Sequence, residues 1–287
     1  MHHLIVNPTA GKKKMHQLVE RIKSVFDKGK LDYDIHYTTH VRDAEEVSRE
    51  LTSKGEKDIV VVGGDGTLHE TLNGLVDPTD CRLGLIPAGT GNDFAESAKI
   101  PLEVEEAASL IVKGETKETD YLEVGGVRCM NVAGLGLDVD VLERCEKGKM
   151  QGKLKYVKCL LQSVFSYKGC NISFERDGME VSKKVLIAAT CNGKQIGGGI
   201  KICPKAEISD GKMDVVVVDF LGNFFSLIGA LMQLMKGKIL EHPAANHFLC
   251  DKIKILSAVP QTVQLDGELY RNLPFEVTLK RGLKMYR

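Results

Sequence analysis

The sequence predicts a two-domain protein, with an N-terminal α/β domain built on a mostly parallel sheet and a C-terminal, mainly antiparallel β-sandwich domain with helical inserts. Strand-like and helix-like segments alternate over the first ~120 residues, as in βα units. From about Asp120 onwards, strand-length apolar segments alternate with turn signals. The length of 287 residues suits two ordinary domains. We place them at residues 1–120 and 121–287, with the last residues free to return toward the first domain.

In the first domain, apolar residues recur with the period expected of each element. The run Ile59-Val60-Val61-Val62 is typical of a strand buried on both faces of a parallel sheet. Apolar residues three or four positions apart predict the helices. The predicted order is a strand at 4–6, a helix with Leu18, Ile22, Val25 and Phe26 on one stripe, a strand at 34–37, a helix at 44–51, a strand at 59–62, a helix with Leu68, Leu72 and Leu75, a strand at 83–86 and a helix at 103–112.

The sequence of the second domain predicts strands joined by tight turns. Asp177-Gly178 and Asp266-Gly267 lie between strand-like segments, and Asp-Gly favours a two-residue hairpin. The predicted strands are 185–191, 213–220, 253–256, 262–265 and 275–279, and the helical inserts are 152–167 and 221–235.

The insert at 221–235 is shorter than the ~20 apolar residues that a bilayer span requires. We predict a helix packed on the β domain, and an interfacial membrane helix is the alternative.

Charge and cysteine content narrow the classes of function. Acidic and basic residues balance at 39 each, whereas a general nucleic-acid binder carries a basic excess, so no nucleic-acid partner is expected. The eight cysteines form no Cys-x-x-Cys pair, which indicates reduced thiols in a cytoplasmic protein rather than disulfides or a zinc–thiolate site. The first predicted strand begins almost at Met1, so no targeting segment is expected.

Three turns in the first domain are rich in Gly, Thr, Asn and Pro, and each joins a strand to a helix. They are NPTAG from Asn7, GGDGT from Gly63 and PAGTGND from Pro87. Parallel strands bring such turns to one sheet edge, where open α/β sheets bind ligands, and helix N-termini there suit phosphate. Neither the P-loop pattern nor G-x-G-x-x-G occurs.

A carboxylate in such a turn poses a question, because it repels phosphate. Asp65 and Asp93 would fit if Mg²⁺ stood between them and the phosphates, since this ion takes one or two carboxylates plus substrate oxygens. Both side chains could equally shape the turns or cap helices. The residues alone leave the two interpretations open.

At these residues the sequence resembles the diacylglycerol kinase catalytic domain, and specifically the soluble bacterial lipid kinases. The similarity rests on GGDGTLHE and PAGTGNDF together with NPTAG. Later in the chain, Pro204-Lys205-Ala206 followed by Ser209-Asp210-Gly211 resembles the family's P-x-A…D-G segment, and Gln264-Leu265-Asp266-Gly267-Glu268 its Q-x-D-G-E. The resemblance implies ATP bound between the two domains. One departure is His69, where the family often has Asn.

The resemblance implies roles for particular positions. Asp65 and Asp93 match carboxylates that organise the catalytic magnesium, with Asp120 as a third member. Asp210, with the carbonyls of Glu207 and Lys212, matches a structural magnesium site. The positions that match nucleotide contacts are Asn7, Pro8, Thr9, Ala10, Gly11, Thr39, Gly64, Asp65, Gly66, Thr67, Leu68, His69, Glu70, Thr90 and Asn92.

Glu268 matches the family's proposed general base, so we assign catalysis to Glu268 and Asp65. A carboxylate projected from an Asp-Gly turn suits proton removal from an acceptor hydroxyl. Without the motif match, Glu268 reads as an exposed residue after a hairpin turn. Asp210 reads equally as a turn residue.

The predicted function is a Mg²⁺-dependent lipid kinase that transfers the γ-phosphoryl group of ATP to diacylglycerol, giving phosphatidic acid. The alternatives are another lipid alcohol (a sphingoid base or a polyprenol), a soluble acceptor as in NAD kinase, and a non-catalytic nucleotide-binding regulator. The expected location is cytoplasmic, peripheral to the membrane, and a homodimer is one candidate assembly. Basic residues that would attract anionic lipid are Lys149, Lys153, Lys155 and Lys158, beside the apolar residues of the 152–167 helix.

Overall fold

The chain forms two compact units in the computed structural model, which describes residues 1–11, 15–147, 153–176, 178–257 and 262–287. The first unit consists of Met1–Tyr121 together with Arg281–Arg287, and the second of Leu122–Lys280. The predicted fold class is confirmed, with parallel strands and helices in the first unit and a β-sandwich in the second.

The first unit is built on parallel strands with helices between them. Its elements are β1 His2–Val6, α1 Met15–Lys28, β2 Tyr33–Tyr37, α2 Asp43–Ser53, β3 Asp58–Gly63, α3 Asp65–Gly74, β4 Arg82–Pro87, α4 Asp93–Ala98, α5 Val104–Lys113 and the start of β5 Thr116–Val124. The strands pair in the order β2-β1-β3-β4, all parallel. All four therefore end at the same edge of the sheet.

Burial in the first unit follows the apolar pattern of the sequence. Every residue of β3 is buried, as expected for a strand covered on both faces. Helix α1 buries the predicted Leu18, Ile22 and Phe26. It also buries Met15 and Val19, whereas the predicted Val25 is half-buried. The helical period places both valines near the edge of the buried stripe, so the packing of the neighbouring elements decides between them.

The last strand extends further than predicted and ends in the first unit. It runs from Phe275 to Tyr286 as β15, and its final residues pair parallel with β4 through Lys284 and Met285. The Tyr286 hydroxyl donates a 2.5 Å hydrogen bond to Asp58 Oδ1, whose other oxygen lies 2.5 Å from Arg82 Nη2. A C-terminal element therefore does return to the first unit.

The described part of the second unit has antiparallel strands and three α-helices. Its further elements are β6 Val127–Cys129, β7 Val132–Gly136, α6 Leu137–Lys147, α7 Lys153–Ser166, β8 Cys170–Arg176, β9 Met179–Cys191, β10 Met213–Asp219, α8 Phe224–Met235, β11 Ala245–Cys250, β12 Lys252–Ser257, β13 Thr262–Leu265 and β14 Glu268–Arg271. One path of pairing runs β14-β13-β7-β9-β8-β12, and β10 pairs with β9 and β11. Helix α6 was not predicted from the sequence pattern.

Two hydrophobic clusters organise this unit. One lies among the strands and includes Leu135, Val215 and Val277, and the other lies beneath the helices and includes Leu160, Leu186 and Val216. Val215 and Val216 are successive residues of β10 in different clusters, as the alternation of a strand covered on both faces requires. The helices thus cover one face of the sheet.

Hairpins form at both predicted Asp-Gly positions, although strands β8 and β14 were not themselves predicted. Leu265 pairs with Glu268 across Asp266 and Gly267, which have φ values of 53° and 93°. Positive φ at both central positions is what a two-residue type I′ turn requires. Arg176 pairs with Met179 in the other hairpin, whose Asp177 lies outside the described residues.

Candidate functional site

Three loops of the first unit meet at the carboxyl edge of its sheet. They follow β1, β3 and β4, and we call them loop 1 (residues 7–11), loop 2 (63–67) and loop 3 (87–93). A methyl group on Gly11 would lie 2.4 Å from Ala88 O, and one on Gly89 would lie 2.5 Å from Gly64 Cα. Only glycine permits such close approach of backbones. The Asn7 amide also donates a 3.1 Å hydrogen bond to Thr67 Oγ1, so the three loops form one packed structure.

Asp65 joins loop 2 to the helix that begins in loop 3. Its Oδ2 accepts a hydrogen bond from the Asp93 N–H and its Oδ1 one from the Phe94 N–H, both at 3.1 Å. These two groups lie in the first turn of α4, where backbone N–H groups have no acceptor within the helix. Asp65 therefore caps helix α4, as one of the two interpretations of this residue predicts.

Other polar residues at this edge also hold the backbone. Asn92, in the left-handed region at φ 54°, bonds to Gly89 through both ends of its amide. Glu70 Oε1 accepts from the Arg42 N–H at 3.0 Å, at the start of α2. Thr39 donates through its N–H and hydroxyl to Asp43, which lowers the pKa of that carboxyl, the backbone hydrogen bond being the larger cause. The edge is thus organised before any ligand binds.

The remaining predicted residues of the first unit differ widely in exposure. Pro8, Thr9 and Thr90 are exposed, and Ala10 and Gly66 are half-buried. Leu68 and His69 are only 1% and 3% exposed, so in this conformation their side chains offer a ligand almost no surface.

The two further predicted metal ligands of the first unit, Asp93 and Asp120, are also buried, at 6% and 4% exposure. Burial lowers the pKa of Arg287, and the nearby charge of Asp120 partly offsets this effect. Within the described ranges, the side-chain clusters with metal-ligand spacing do not include Asp65, Asp93 or Asp120.

In the second unit, the hairpin of β13 and β14 is braced by two side chains that sequence reasoning gave no role. Asp266 accepts hydrogen bonds from the N–H groups of Met130 (2.7 Å), Asn131 (2.8 Å) and Val132 (3.2 Å). Gln264 is buried, and its Oε1 accepts from the Gly267 N–H at 3.0 Å. Glu268 follows and is exposed. In this motif, Asp266 and Gln264 therefore hold the turn, and Glu268 is the carboxylate exposed to solvent.

A buried carboxyl group lies beside this brace. Asp138, at the start of α6, is 4% exposed, and neither of its oxygens has a well-aligned hydrogen bond. A methyl group on Gly134 would lie 1.9 Å from Asp138 Oδ2 and 3.0 Å from the Gln264 amide nitrogen, so the two side chains converge on the same glycine. The sequence signal for Asp138 was a carboxylate within an apolar segment, which is informative because buried charges are rare.

Asp138 also lines an apolar cavity of ≈ 50 Å³ beneath the helices of the second unit. The wall is otherwise hydrophobic and includes Leu160 of α7, Leu186 of β9, and Leu227 and Leu234 of α8. A cavity with such a wall stays dry. It offers a site for hydrocarbon with a single ionisable group at its margin.

Burial raises the pKa of Asp138 from 3.8 to about 7. The folded protein therefore holds a proton that the unfolded chain releases near pH 4, and stability should fall between pH 4 and pH 7. At about 1.4 kcal/mol per pKa unit the loss reaches roughly 4 kcal/mol. Asp138→Asn carries no such charge. We expect its unfolding free energy relative to the parent to rise from pH 5 to pH 8, as measured by urea denaturation; a pH-independent difference would contradict a buried, protonated Asp138.

The predicted metal loop of the second unit forms a turn closed by Asp210. Its Oδ1 accepts from the Lys212 N–H at 2.9 Å, and Gly211 has φ 73°. The side chains of Glu207, Asp210 and Lys212 are all exposed. An Asp side chain that bonds the backbone two residues on is a common turn arrangement. The geometry therefore accounts for Asp210 as a turn residue and leaves its other oxygen toward solvent.

The helices over the cavity also expose apolar side chains. Leu161 and Phe165 of α7 and Phe225, Met232 and Met235 of α8 are among the large exposed hydrophobic residues. Lys158 is exposed on α7, and Lys149 lies outside the described residues. No helix in the described part of the chain is long and apolar enough to span a bilayer.

Family models match both parts of this chain. Residues 2–124 match the model of the diacylglycerol kinase catalytic domain. Residues 131–283 match the YegS C-terminal NAD kinase beta sandwich-like domain, which covers more than half of the chain.

Similar proteins extend the match over nearly the whole length. The chain is 32% identical to a probable lipid kinase YegS-like of Xanthomonas campestris pv. campestris, over 96% of this chain and 91% of that protein. It is 28% identical to a diacylglycerol kinase of Bacillus subtilis, over 95% and 91%. A crystal structure of a diacylglycerol kinase from Bacillus anthracis superposes with a TM-score of 0.77 at 25% identity, over 99% and 95%. The chain therefore belongs to the diacylglycerol kinase and YegS-like lipid kinase family.

Proposed function

We propose that this protein is a Mg²⁺- and ATP-dependent kinase that phosphorylates the hydroxyl of diacylglycerol and yields phosphatidic acid. The observation that carries the lipid part is the dry apolar cavity of the second unit, with Asp138 at its margin beside the braced hairpin that presents Glu268. A soluble acceptor would need no such cavity.

The donor side of the proposal rests on the three loops of the first unit. Helix α3 begins at the edge where all parallel strands end, and the backbone N–H groups of a first turn have no acceptor within the helix. A helix N-terminus favours phosphate, and the close glycine contacts let a ligand approach the backbone. We assign the phosphates of ATP to this edge, between the exposed residues of loops 1 and 3.

The carboxylates at this edge fit a magnesium ion. Asp65 lies in loop 2 with its carboxylate held by the first turn of α4, and Asp93 follows in loop 3. Mg²⁺ prefers oxygen ligands and retains several waters, so one or two carboxylates suffice. When bound there, the ion would neutralise charge on the transferring phosphoryl group. The capping bonds keep Asp65 oriented for this role. Asp120 stays a candidate third ligand of this ion, and the turn of Asp210 a candidate site for a second, structural magnesium ion.

The acceptor side rests on the braced hairpin. In the proposed step, the lipid hydroxyl oxygen forms a bond to the γ-phosphorus, the bond from that phosphorus to the β–γ bridging oxygen breaks, and ADP leaves. Glu268 takes the hydroxyl proton. Removal by a positioned base contributes about 10²–10⁴-fold. Asp266 and Gln264 hold the turn, so Glu268 needs little ordering during the reaction.

We further assign membrane docking to helices α7 and α8. Both expose large apolar side chains while lining the cavity on their inner side. A volume of ≈ 50 Å³ receives only the end of an acyl chain, so entry of a longer chain requires these helices to separate. Apolar residues that face a lipid surface would favour such an opening.

A phosphoryl-transfer assay tests the proposal. The full-length protein would be incubated with γ-labelled ATP, Mg²⁺ and mixed micelles of diacylglycerol, a sphingoid base or a polyprenol, with NAD in parallel. We expect label in phosphatidic acid that is lost when Mg²⁺ is chelated. Label in another lipid would correct the acceptor, label in NAD would overturn the lipid assignment, and ATP binding without transfer would indicate a regulator.

A further inference from the structure

Two histidines and a carboxylate meet on the sheet of the first unit, away from the loops described above. His3 lies on β1, and Asp34 and His36 lie on the edge strand β2. The parallel register pairs His3 with Asp34, and His36 is two residues further along β2, so all three side chains stand on the same face. His3 and Asp34 are the second residues of their strands, whereas the loops follow the carboxyl ends.

The distances between these side chains match those between ligands of one metal ion. His3 Nδ1 lies 3.2 Å from His36 Nε2, which lies 3.4 Å from Asp34 Oδ2. The ligand atoms of the three residues all fall within 4.8 Å of one another. Two ligands at about 2.0–2.2 Å from Zn²⁺, separated by octahedral or tetrahedral angles, stand roughly 3.0–3.5 Å apart. An ion therefore fits with small movements of the side chains.

The second nitrogen of His3 faces a further carboxylate. His3 Nε2 lies 3.0 Å from Glu56 Oε2, close but without the alignment of a good hydrogen bond. Histidines that bind metals usually present their other N–H to a carboxylate, which orients the ring. The position of Glu56 suits this function. With Nε2 of His3 facing Glu56, Nδ1 of His3 faces His36.

The cluster has both a buried and an accessible side. His3 is 3% exposed, while the side chains of His36 and Asp34 are 26% and 56% exposed. A buried ligand fixes the geometry, and the exposed pair gives an ion a path from solvent. Three protein ligands also leave positions for water, as in open zinc sites.

We propose that His3, Asp34 and His36 bind a divalent transition metal of the zinc type, with Glu56 as a positioning residue for His3. Imidazole ligands favour Zn²⁺ and its neighbours, whereas Mg²⁺ prefers oxygen, so the proposed site does not compete with the proposed magnesium site. The ion would connect the edge strand β2 to β1. A ligand that binds only the folded state stabilises it, so zinc should raise the melting temperature.

The test uses the full-length protein after treatment with a chelator. Isothermal titration with Zn²⁺ and thermal unfolding with and without Zn²⁺ would be compared for the parent, His36→Gln and Asp34→Asn. We expect each variant to lose one equivalent of bound zinc and most of the zinc-dependent rise in melting temperature. His16→Gln, an exposed histidine on α1, is the matched control and should behave as the parent.

Cobalt distinguishes this site from the cysteines. Co²⁺ bound to the cluster should give ligand-field bands without a sulfur-to-metal charge-transfer band, and His36→Gln should remove them. Glu56→Gln should keep the site but weaken zinc binding about 10–100-fold. Parent-like zinc stoichiometry and stabilisation in both ligand variants, no zinc binding by the parent, or a sulfur band that accounts for all bound cobalt would overturn the proposal. Kinase activity is read in none of these measurements, so their failure leaves the proposed function untouched.

Discussion

Replacement of Glu268 by glutamine should lower the rate of lipid phosphorylation by about 10²–10⁴-fold, the usual contribution of a positioned general base. Glutamine has nearly the same shape but does not accept the proton of the acceptor hydroxyl. Because Glu268 is exposed and the hairpin is held by Asp266 and Gln264, the variant should fold like the parent. Rates would be measured with saturating ATP and diacylglycerol micelles, and ATP affinity by calorimetry.

A matched variant separates this effect from a general loss of surface charge. Glu180 is another exposed glutamate of the second unit, on β9 beside a different Asp-Gly hairpin. Glu180→Gln removes the same charge and should keep the parent's rate. A rate for Glu268→Gln within a few-fold of the parent, at unchanged melting temperature, would remove Glu268 from the proton-transfer step.

Replacement of Asp65 by asparagine should reduce activity by about 10²-fold or more. A metal's stabilisation of transition-state charge is worth several kcal/mol, and each 1.4 kcal/mol is about tenfold in rate. Asparagine accepts from one of the two α4 N–H groups but turns its own NH₂ toward the other. We therefore also expect a stability loss of up to about 2 kcal/mol, the range for lost helix caps. Activity would be titrated against Mg²⁺ concentration, and stability by urea.

Asp77 provides the control for the structural part of this effect. It caps a short helical turn before β4, where its Oδ1 accepts from the Thr79 N–H at 2.9 Å. Asp77→Ala removes this cap, so it should lose a similar amount of stability and keep its activity and magnesium dependence. If Asp65→Asn loses activity only in proportion to its folded fraction, Asp65 is a cap alone and the magnesium proposal for this residue fails.

Periodicity predicted most of the fold because burial depends on pattern. The β-branched run of β3 and the Asp-Gly turn before Glu268 each specify one local structure, and the structure has both. Helix α6 was missed because its first apolar residues alternate with Asp138 and Asp140 instead of recurring at the helical period. The extension of β15 was missed because Gly282, with φ 93°, interrupts its pattern.

The residue types of the candidate site could be predicted from the sequence, but their spatial arrangement could not. Loop composition indicated that Asp65, Asn7 and Asn92 would gather at one edge, because parallel strands end together. Their hydrogen bonds depend on backbone groups of other loops, such as the Asp93 N–H that Asp65 accepts from, and no spacing rule encodes these. Asp138 and Gln264 converge on Gly134 only after three separate segments pack. A single sequence does not reveal which side chains converge in this way.

The return of Arg281–Arg287 to the first unit has a consequence during biosynthesis. Until those residues leave the ribosome, the nascent N-terminal half lacks the strand that pairs with β4 and the Tyr286 hydroxyl that binds Asp58. An unpaired strand edge invites association with other chains. A fragment ending near residue 121 would therefore be poorly soluble when expressed alone. Adding back the last heptapeptide through a designed linker should rescue it.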